Sequence, residues 1–427
     1  MIILSGPWSR LFALLALTAT ACGGAPRAVF VDAHQQVEAV GRPGVEVHLR
    51  LQPEHARMQS RYVAAVAATL KQNSEWLGPT RRSSLTMVDP PWHVTAAALG
   101  DGAIVLDRTP WWSGSTSMTP ELAVARALSR RAWADAMPDV DLPAWFVGAL
   151  VELSARRAVV PLFESENLSP GHAFLEDRVF GGFVPRFVRV RLLAETDGEP
   201  LLAYRANPTV NPTLPPRSAA EARSLEAKAV LALGTLERWV GHPVFDQLIT
   251  AFVREARSNR LTLGDFARIA SAVSGQDLTW FFDEAFGSSR VFDYGVEDLV
   301  SEPDASGAFA TTVVARRYGD ARFTGSAARP VGRFEAGRGI ALLVTFADGQ
   351  QQIDHWDGRE REKTFQYRSP TRAVSASVDP DRTILIDLRR TNNSITLSRR
   401  RGSAASIWAA RYMLWLEGLL LTYASLA

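Results

Sequence analysis

The change in hydrophobic period near residue 300 restricts the folds open to this chain more than any other feature of its sequence. From 219 to about 286 the apolar residues recur with helical spacing. From 308 to 397 apolar and polar residues alternate, and turn signals such as Asp348-Gly349 separate the apolar runs. A block of helices followed by a block of antiparallel strands is typical of the α+β class.

The region before 219 mixes both periods. Residues 45–51 alternate as in a strand, and the short apolar runs at 85–88 and 103–106 also predict strands. Helical spacing predicts helices over about 53–77, 119–136 and 142–158, and the prolines within 196–217 predict an extended loop. We therefore expect a small mixed sheet beside a mostly helical layer.

Composition and charge exclude several classes of protein. A chain of 427 residues with 47% hydrophobic residues is long enough for two or three globular domains. Lys and Arg number 47 and Asp and Glu 45, giving a net charge of +2, which argues against nucleic acid as the main partner. Cys22 is the one cysteine, so intramolecular disulfides, cysteine-based zinc sites and iron–sulfur clusters are excluded.

The first residues have the pattern of an export signal. Arg10 precedes an apolar run over 11–17 and a stretch of small residues before Cys22, which predicts a signal peptide over 1–21. Cys22 lies where a bacterial lipoprotein carries its lipid, although Ala19 stands where that motif has leucine. We expect a lipid-modified Cys22 followed by a tether over 22–42. A plain cleaved signal and an uncleaved anchor are the alternatives.

The last segment, 399–427, is apolar but is interrupted by Arg411 and Glu417. A membrane-spanning helix needs about 20 apolar residues with few charges. We therefore expect an amphipathic helix that lies at a membrane interface, and leave open that it spans the membrane or packs on its own domain.

Three motifs stand out in and just after the helical block, namely Leu261-Thr-Leu-Gly-Asp-Phe266, Ser274-Gly-Gln-Asp-Leu-Thr-Trp-Phe-Phe282 and Phe292-Asp-Tyr294. They resemble motifs of the aminopeptidase N-like gluzincin family of zinc metallopeptidases. Residues 121–133 and 141–152 have the shape of the family's zinc helix and the glutamate helix after it. The resemblance implies a mostly helical, thermolysin-like peptidase domain over 43–300 and a C-terminal antiparallel β-sandwich domain over 301–398.

The chemistry of that family is missing from the matching positions. A gluzincin binds zinc through His-Glu-x-x-His on one helix, whose glutamate is the general base, and a glutamate on the next helix. No histidine occurs between 118 and 152. One register places Arg126, Ala127 and Arg130 at the motif, and the other places Val124, Ala125 and Leu128 there with Val147 at the third ligand. The tyrosine expected just before Lys228 is absent, and Gly100 stands where the family's amine-binding glutamate falls.

No replacement site is evident in the sequence. No two of the seven histidines are spaced i,i+3 or i,i+4, so we interpret them as solvent-facing or hydrogen-bonded: His34, His48, His55, His93, His172, His242 and His355. The nucleophile motif Gly-x-Ser-x-Gly is incomplete at 114–117, and phosphate-binding glycine motifs are absent. A dispersed catalytic triad stays open, because its members can lie far apart in sequence.

These observations predict a peptidase-like protein without zinc or another cofactor and without peptidase activity. Arg126, Arg130 and Arg131 are the candidates for binding an anion, such as a peptide carboxylate, in the former cleft, with a solvated helix face as the alternative. We expect an exported protein, lipid-anchored on the periplasmic face of a bacterial membrane, that binds a peptide or envelope protein. An active hydrolase with unidentified ligands and a structural envelope scaffold are the rival hypotheses.

Overall fold

The computed structural model describes residues 29–39, 42–91, 102–108, 119–164, 198–325 and 339–397. Cys22, the signal segment, His93, Gly100, 114–117, His172 and the C-terminal segment lie outside the described residues. The helices are α1 (Gln59–Leu77), α2 (Thr119–Ala136), α3 (Ala144–Glu164), α4 (Gly198–Ala206), α5 (Ala219–Val240), α6 (His242–Ala256), α7 (Leu263–Ser274) and α8 (Thr279–Ala285). The strands are β1 (Val31–Ala39), β2 (Arg42–Leu51), β3 (Ser84–Val88), β4 (Ile104–Val105), β5 (Tyr294–Pro303), β6 (Phe309–Arg317), β7 (Ile340–Phe346), β8 (Gln351–Trp356), β9 (Glu362–Ser369), β10 (Ala373–Val378) and β11 (Ser394–Thr396).

The first four strands form the small mixed sheet that the sequence predicts. Their order is β1-β2-β3-β4, in which β1 runs antiparallel to β2 while β2, β3 and β4 are parallel. Alternate residues of β2, from Val45 to Leu51, are buried and belong to one core with Tyr62 and Val66 of α1. The opposite face of β2 points away from this core.

The structure corrects the predicted tether over 22–42. Residues Val31–Ala39 form strand β1, which pairs along its length with β2. The prediction was wrong there because β1 carries few apolar side chains, of which Val37 alone is fully buried, so its alternation is weak. Its strand form depends on pairing with β2, which a local pattern does not record.

The predicted loop over 196–217 also contains a helix, α4. Pro200 lies in its first turn, where a missing N–H leaves no intrahelical bond unmade. Leu201 and Tyr204 are buried against the main core. The density of prolines therefore misled the prediction, because one of them is placed where a helix accepts it.

The helical block over 219–286 is confirmed as α5 to α8. Ser218 caps α5 by accepting from the N–H of Glu221, and Thr262 and Asp265 form a reciprocal capping box at the start of α7. Gly275 ends α7 in the left-handed conformation, with φ of 67°. These local signals explain why the boundaries of this block follow the sequence closely.

The strands after α8 form two antiparallel sheets. One has the order β5-β6-β9 and the other β11-β10-β7-β8. Strand β5 begins at Tyr294, so the first strand of this region starts before the boundary expected near 300. Mixed helix and sheet in this order agree with the α+β class.

Helix α5 joins the helical block to the strand region. A Cβ on Gly234 would lie 2.8 Å from Cδ1 of Leu385, so the helix and the segment before β11 approach closely. The hydroxyl of Thr235 accepts from the N–H of Ile386 at 3.2 Å. Apolar residues of α5 to α8 and of both antiparallel sheets belong to one continuous core.

Among the helices of the described residues, none is long and apolar enough to cross a membrane.

Candidate functional site

An ion-pair network connects α2 and α3, the two helices in which the sequence analysis looked for zinc ligands. The guanidinium of Arg126 on α2 donates to both oxygens of Glu152 on α3, with Nε–Oε2 at 2.6 Å and Nη2–Oε1 at 2.8 Å. Arg156, one turn further along α3, donates its Nε to Oε1 of Glu152 at 2.6 Å. The guanidinium of Arg126 therefore connects the two helices through Glu152.

Glu152 is charged in this setting. Burial alone raises the pKa of its carboxyl, but the hydrogen bond from Arg126 and the charges of Arg156 and Arg126 outweigh burial. The net result is a pKa below the ordinary value. The carboxylate is thus committed to two guanidiniums, and its oxygens are occupied by their N–H groups.

Glu226 approaches the same network from α5. Gly148 on α3 makes room for it, because a Cβ there would lie 2.7 Å from its carboxyl group. Burial and the nearby charge of Glu152 raise the pKa of Glu226, while Arg130 and Arg126 oppose the rise. Glu226 is therefore a carboxyl that takes up a proton more readily than an ordinary glutamate.

The residues at the expected zinc positions offer no ligand. In the second register Val124 and Leu128 are buried in the core shared with the mixed sheet, and Ala125 packs with Ala155 and Val159. In the first register the two histidine positions hold arginines, which do not ligate zinc. The site between α2 and α3 therefore does not fit a zinc ion.

The structure divides the three predicted anion-binding arginines between two faces of α2. Arg126 is held by Glu152, whereas Arg130, one turn on, is 60% exposed, with its Nη2 3.8 Å from Oδ1 of Asp107. Arg131 is rotated by about 140° from Arg126 around the helix. Its Nε lies 3.2 Å from Asp135 on the other face.

Arg131 lines a groove of about 870 Å³ that the sequence did not reveal. Its charged lining residues are four arginines and one carboxylate, namely Arg81, Arg82, Arg131, Arg257 and Asp135. Arg82 and Arg131 share Asp135, whose Oδ2 lies 3.3 Å from the Nε of each. The groove is therefore lined with an excess of positive charge.

Two other histidine environments emerge from the fold. His55 is buried, and its Nδ1 lies 2.6 Å from Oδ2 of the buried Asp89, as expected for a hydrogen-bonded core histidine. His34 and His48, by contrast, lie directly opposite each other on β1 and β2, with Glu46 close by. The sequence interpretation missed this cluster because it searched for helical spacing and did not predict β1.

Taken together, the mixed sheet, the helical layer and the antiparallel sheets define a peptidase-like fold. Aminopeptidase A of Legionella pneumophila, solved in complex with aspartic acid, matches this structure with a TM-score of 0.50 at 13% sequence identity. The match covers 84% of this chain and 38% of the Legionella chain, so the present chain spans well under half of that enzyme. No protein-family model and no curated protein matches the sequence. At this identity the similarity is one of fold.

Proposed function

We propose that this protein is an exported, membrane-tethered, peptidase-like protein that does not cleave peptides and acts by binding an acidic peptide segment or envelope protein. The observation that carries the proposal is the Arg126–Glu152–Arg156 network. Its guanidiniums occupy both carboxylate oxygens of Glu152, so this carboxylate is engaged by arginines on both helices. Zinc and the general base that accompanies it have no place between these helices.

The arginine-lined groove supports binding as the remaining role. The four arginines that line the groove outnumber its one carboxylate and favour a partner that carries carboxylates, since arginine binds carboxylate through paired N–H donors. The side chains of Arg82 and Arg131 are 39% and 51% exposed, so a carboxylate in solution has access to both.

Export and lipid anchoring at Cys22 belong to this proposal and rest on the N-terminal pattern. A lipid at Cys22 would hold the protein on the periplasmic face of a bacterial membrane, with the groove open to the periplasm. The C-terminal segment over 399–427 would add a second, interfacial contact.

Inactivity is tested by assaying the purified mature protein on a panel of fluorogenic aminoacyl substrates, with and without a chelator. The Legionella aminopeptidase serves as the positive control. We expect no turnover above the blank. Turnover that survives purification and is abolished by the chelator would overturn the proposal.

Binding is tested with two labelled peptides of equal length, one rich in Asp and Glu and one rich in Lys. We expect the acidic peptide to bind in a salt-dependent manner and Arg82→Gln with Arg131→Gln to weaken it. Arg254→Gln with Arg359→Gln, which removes two positive charges from exposed positions outside the groove, is the matched control. Equal binding of both peptides, or equal effects of the groove and control variants, would contradict the assignment.

A hydrolase that uses Glu226 is the second candidate function. The observation in its favour is the close approach of the Glu226 carboxyl to Gly148, where burial and the charge of Glu152 raise its pKa as suits a general acid. In the same assay it predicts chelator-resistant turnover that Glu226→Gln abolishes.

A further inference from the structure

The outer face of the β1–β2 pair brings together two imidazoles and a carboxylate. His34 and His48 are direct partners in the antiparallel register, and their ring centroids are 4.4 Å apart in an edge-to-face arrangement. Oε1 of Glu46 lies 3.2 Å from Nε2 of His48. One ligand atom from each of the three residues lies within 4.8 Å of the other two.

The strand period places these side chains away from the core. Val45, Val47 and Leu49 of β2 are buried beneath the sheet, so Glu46 and His48 project from the opposite face. His34 is exposed on β1, Glu46 is 57% exposed and His48 is 31% exposed. An ion arriving from solvent therefore reaches all three groups without any change in the packed interior.

The three groups form a ligand set suited to one metal. Imidazole nitrogen and carboxylate oxygen are preferred zinc ligands at about 2.0–2.2 Å, and three protein ligands with one open position are common in zinc sites. Donor atoms already this close reach such distances by small rotations of exposed side chains. We propose that His34, Glu46 and His48 bind one Zn²⁺ ion, or a related first-row divalent cation, on the outer face of the β1–β2 pair.

The immediate neighbours leave this cluster intact. Asp32 and Arg50, the next pair along the same face, are an ion pair with Nε–Oδ1 at 3.5 Å. Gln36 stands opposite Glu46 in the register. The charges of this neighbouring pair are therefore matched, and the carboxylate of Glu46 lies in contact with the imidazole of His48.

The bound ion would cross-link the edge of the sheet. Strand β1 lies at the edge of the described sheet, where β2 is its neighbouring strand. A metal with one ligand on β1 and two on β2 ties that edge in its observed register. This site is separate from the α2–α3 region and does not depend on the proposed function.

The test is direct binding of ZnCl₂ to the apo full-length mature protein, measured by titration calorimetry and by elemental analysis after dialysis. We expect one Zn²⁺ per chain. Second-shell partners alone change metal affinity by about 10–100-fold, so His34→Ala or His48→Ala should weaken binding by at least about tenfold, and Glu46→Gln should weaken it too. His355→Ala removes an imidazole from β8 and should leave binding unchanged.

A measurement on the unaltered protein guards against variants that fold poorly. Acylation of histidines by diethyl pyrocarbonate, mapped by mass spectrometry, should be slowed by Zn²⁺ at His34 and His48 and unchanged at His355. No binding, binding that persists in His34→Ala with His48→Ala, or uniform reactivity with and without Zn²⁺ would overturn the proposal. None of these measurements involves peptide cleavage, so the metal site and the proposed function succeed or fail separately.

Discussion

Replacing Glu152 by alanine tests the central network most directly. The substitution removes the acceptor of three charge-assisted hydrogen bonds, at 2.6, 2.8 and 2.6 Å, from Arg126 and Arg156. It leaves both guanidiniums facing a space with less water than the protein surface, because the two arginine side chains are 21% and 11% exposed.

The expected loss follows from those numbers. A hydrogen bond to a charged group contributes about 1.5–3 kcal/mol, and removing one partner of a buried ion pair costs about 3–5 kcal/mol. In the variant, water can hydrogen-bond to the guanidinium of Arg126, which is the more exposed of the two arginines, and this reduces the loss. We therefore expect Glu152→Ala to lower the free energy of unfolding by about 3 kcal/mol, at the lower end of that range.

Urea unfolding at neutral pH measures the change, with Glu255→Ala as the matched control. Glu255 also accepts from an arginine at 2.6 Å, but that pair is exposed, so its removal should change stability far less. Glu152 also predicts a pH dependence, because its folded pKa lies below the value of 4.5 in an unstructured chain. Its contribution is complete above that value and is lost as the pH falls toward the folded pKa.

The variant Glu152→Gln keeps the shape of the side chain and removes the charge. The stability difference between wild type and this variant should therefore shrink as the medium is acidified below about pH 4.5. If Glu152→Ala costs no more than Glu255→Ala, or if the difference is independent of pH, the network is solvated and the reasoning fails.

Three further perturbations probe buried groups. Burial lowers the pKa of Lys228 from its ordinary value of 10.5 to about 8. The contribution of Lys228 to stability should therefore rise as the pH increases from 8 to 10.5, and thermal unfolding of Lys228→Met should lack that rise. Burial raises the pKa of Asp387 from 3.8 to about 7, so its contribution to stability should fall as the pH increases across that interval. The variant Asp387→Asn should flatten this dependence of stability on pH. The Asn393 amide can rotate so that its Oδ1, which has no hydrogen-bond partner, accepts from the new amide. Gly148→Ala should push the carboxyl of Glu226 toward solvent and lower its pKa, which a carbon-13 NMR titration reads directly, whereas an unchanged pKa would show that the close approach is absent.

The helical block was predictable because its signals are local. The period over 219–286 and the capping residues Ser218, Thr262 and Gly275 act within one or two turns of the chain. The structure therefore reproduces α5 to α8 where the sequence places them. The absence of the zinc motif could also be recognised from the sequence, because the motif is defined by residue types at a fixed spacing.

The partners of the arginines were not predictable, because they come from other elements. Arg126 was a candidate for binding an anion in a cleft, but its guanidinium forms a hydrogen-bonded ion pair with Glu152 on the following helix. The groove is assembled from Arg82 after α1, Arg131 on α2 and Arg257 after α6. Segments that are distant in sequence build such a surface, and their meeting is decided by tertiary packing.

The contact between helix α5 and the strand region limits which sequence changes the protein can accept. Gly234 and Thr235 pack against Leu385 and Ile386, so the surface of the helix is shaped by residues far beyond the change of pattern near 300. If the strand region were replaced by an unrelated one, α5 would lose the residues that pack against it and the shared hydrophobic core would be disrupted. We therefore expect a larger side chain at Gly234 to be tolerated only together with a smaller one at Leu385.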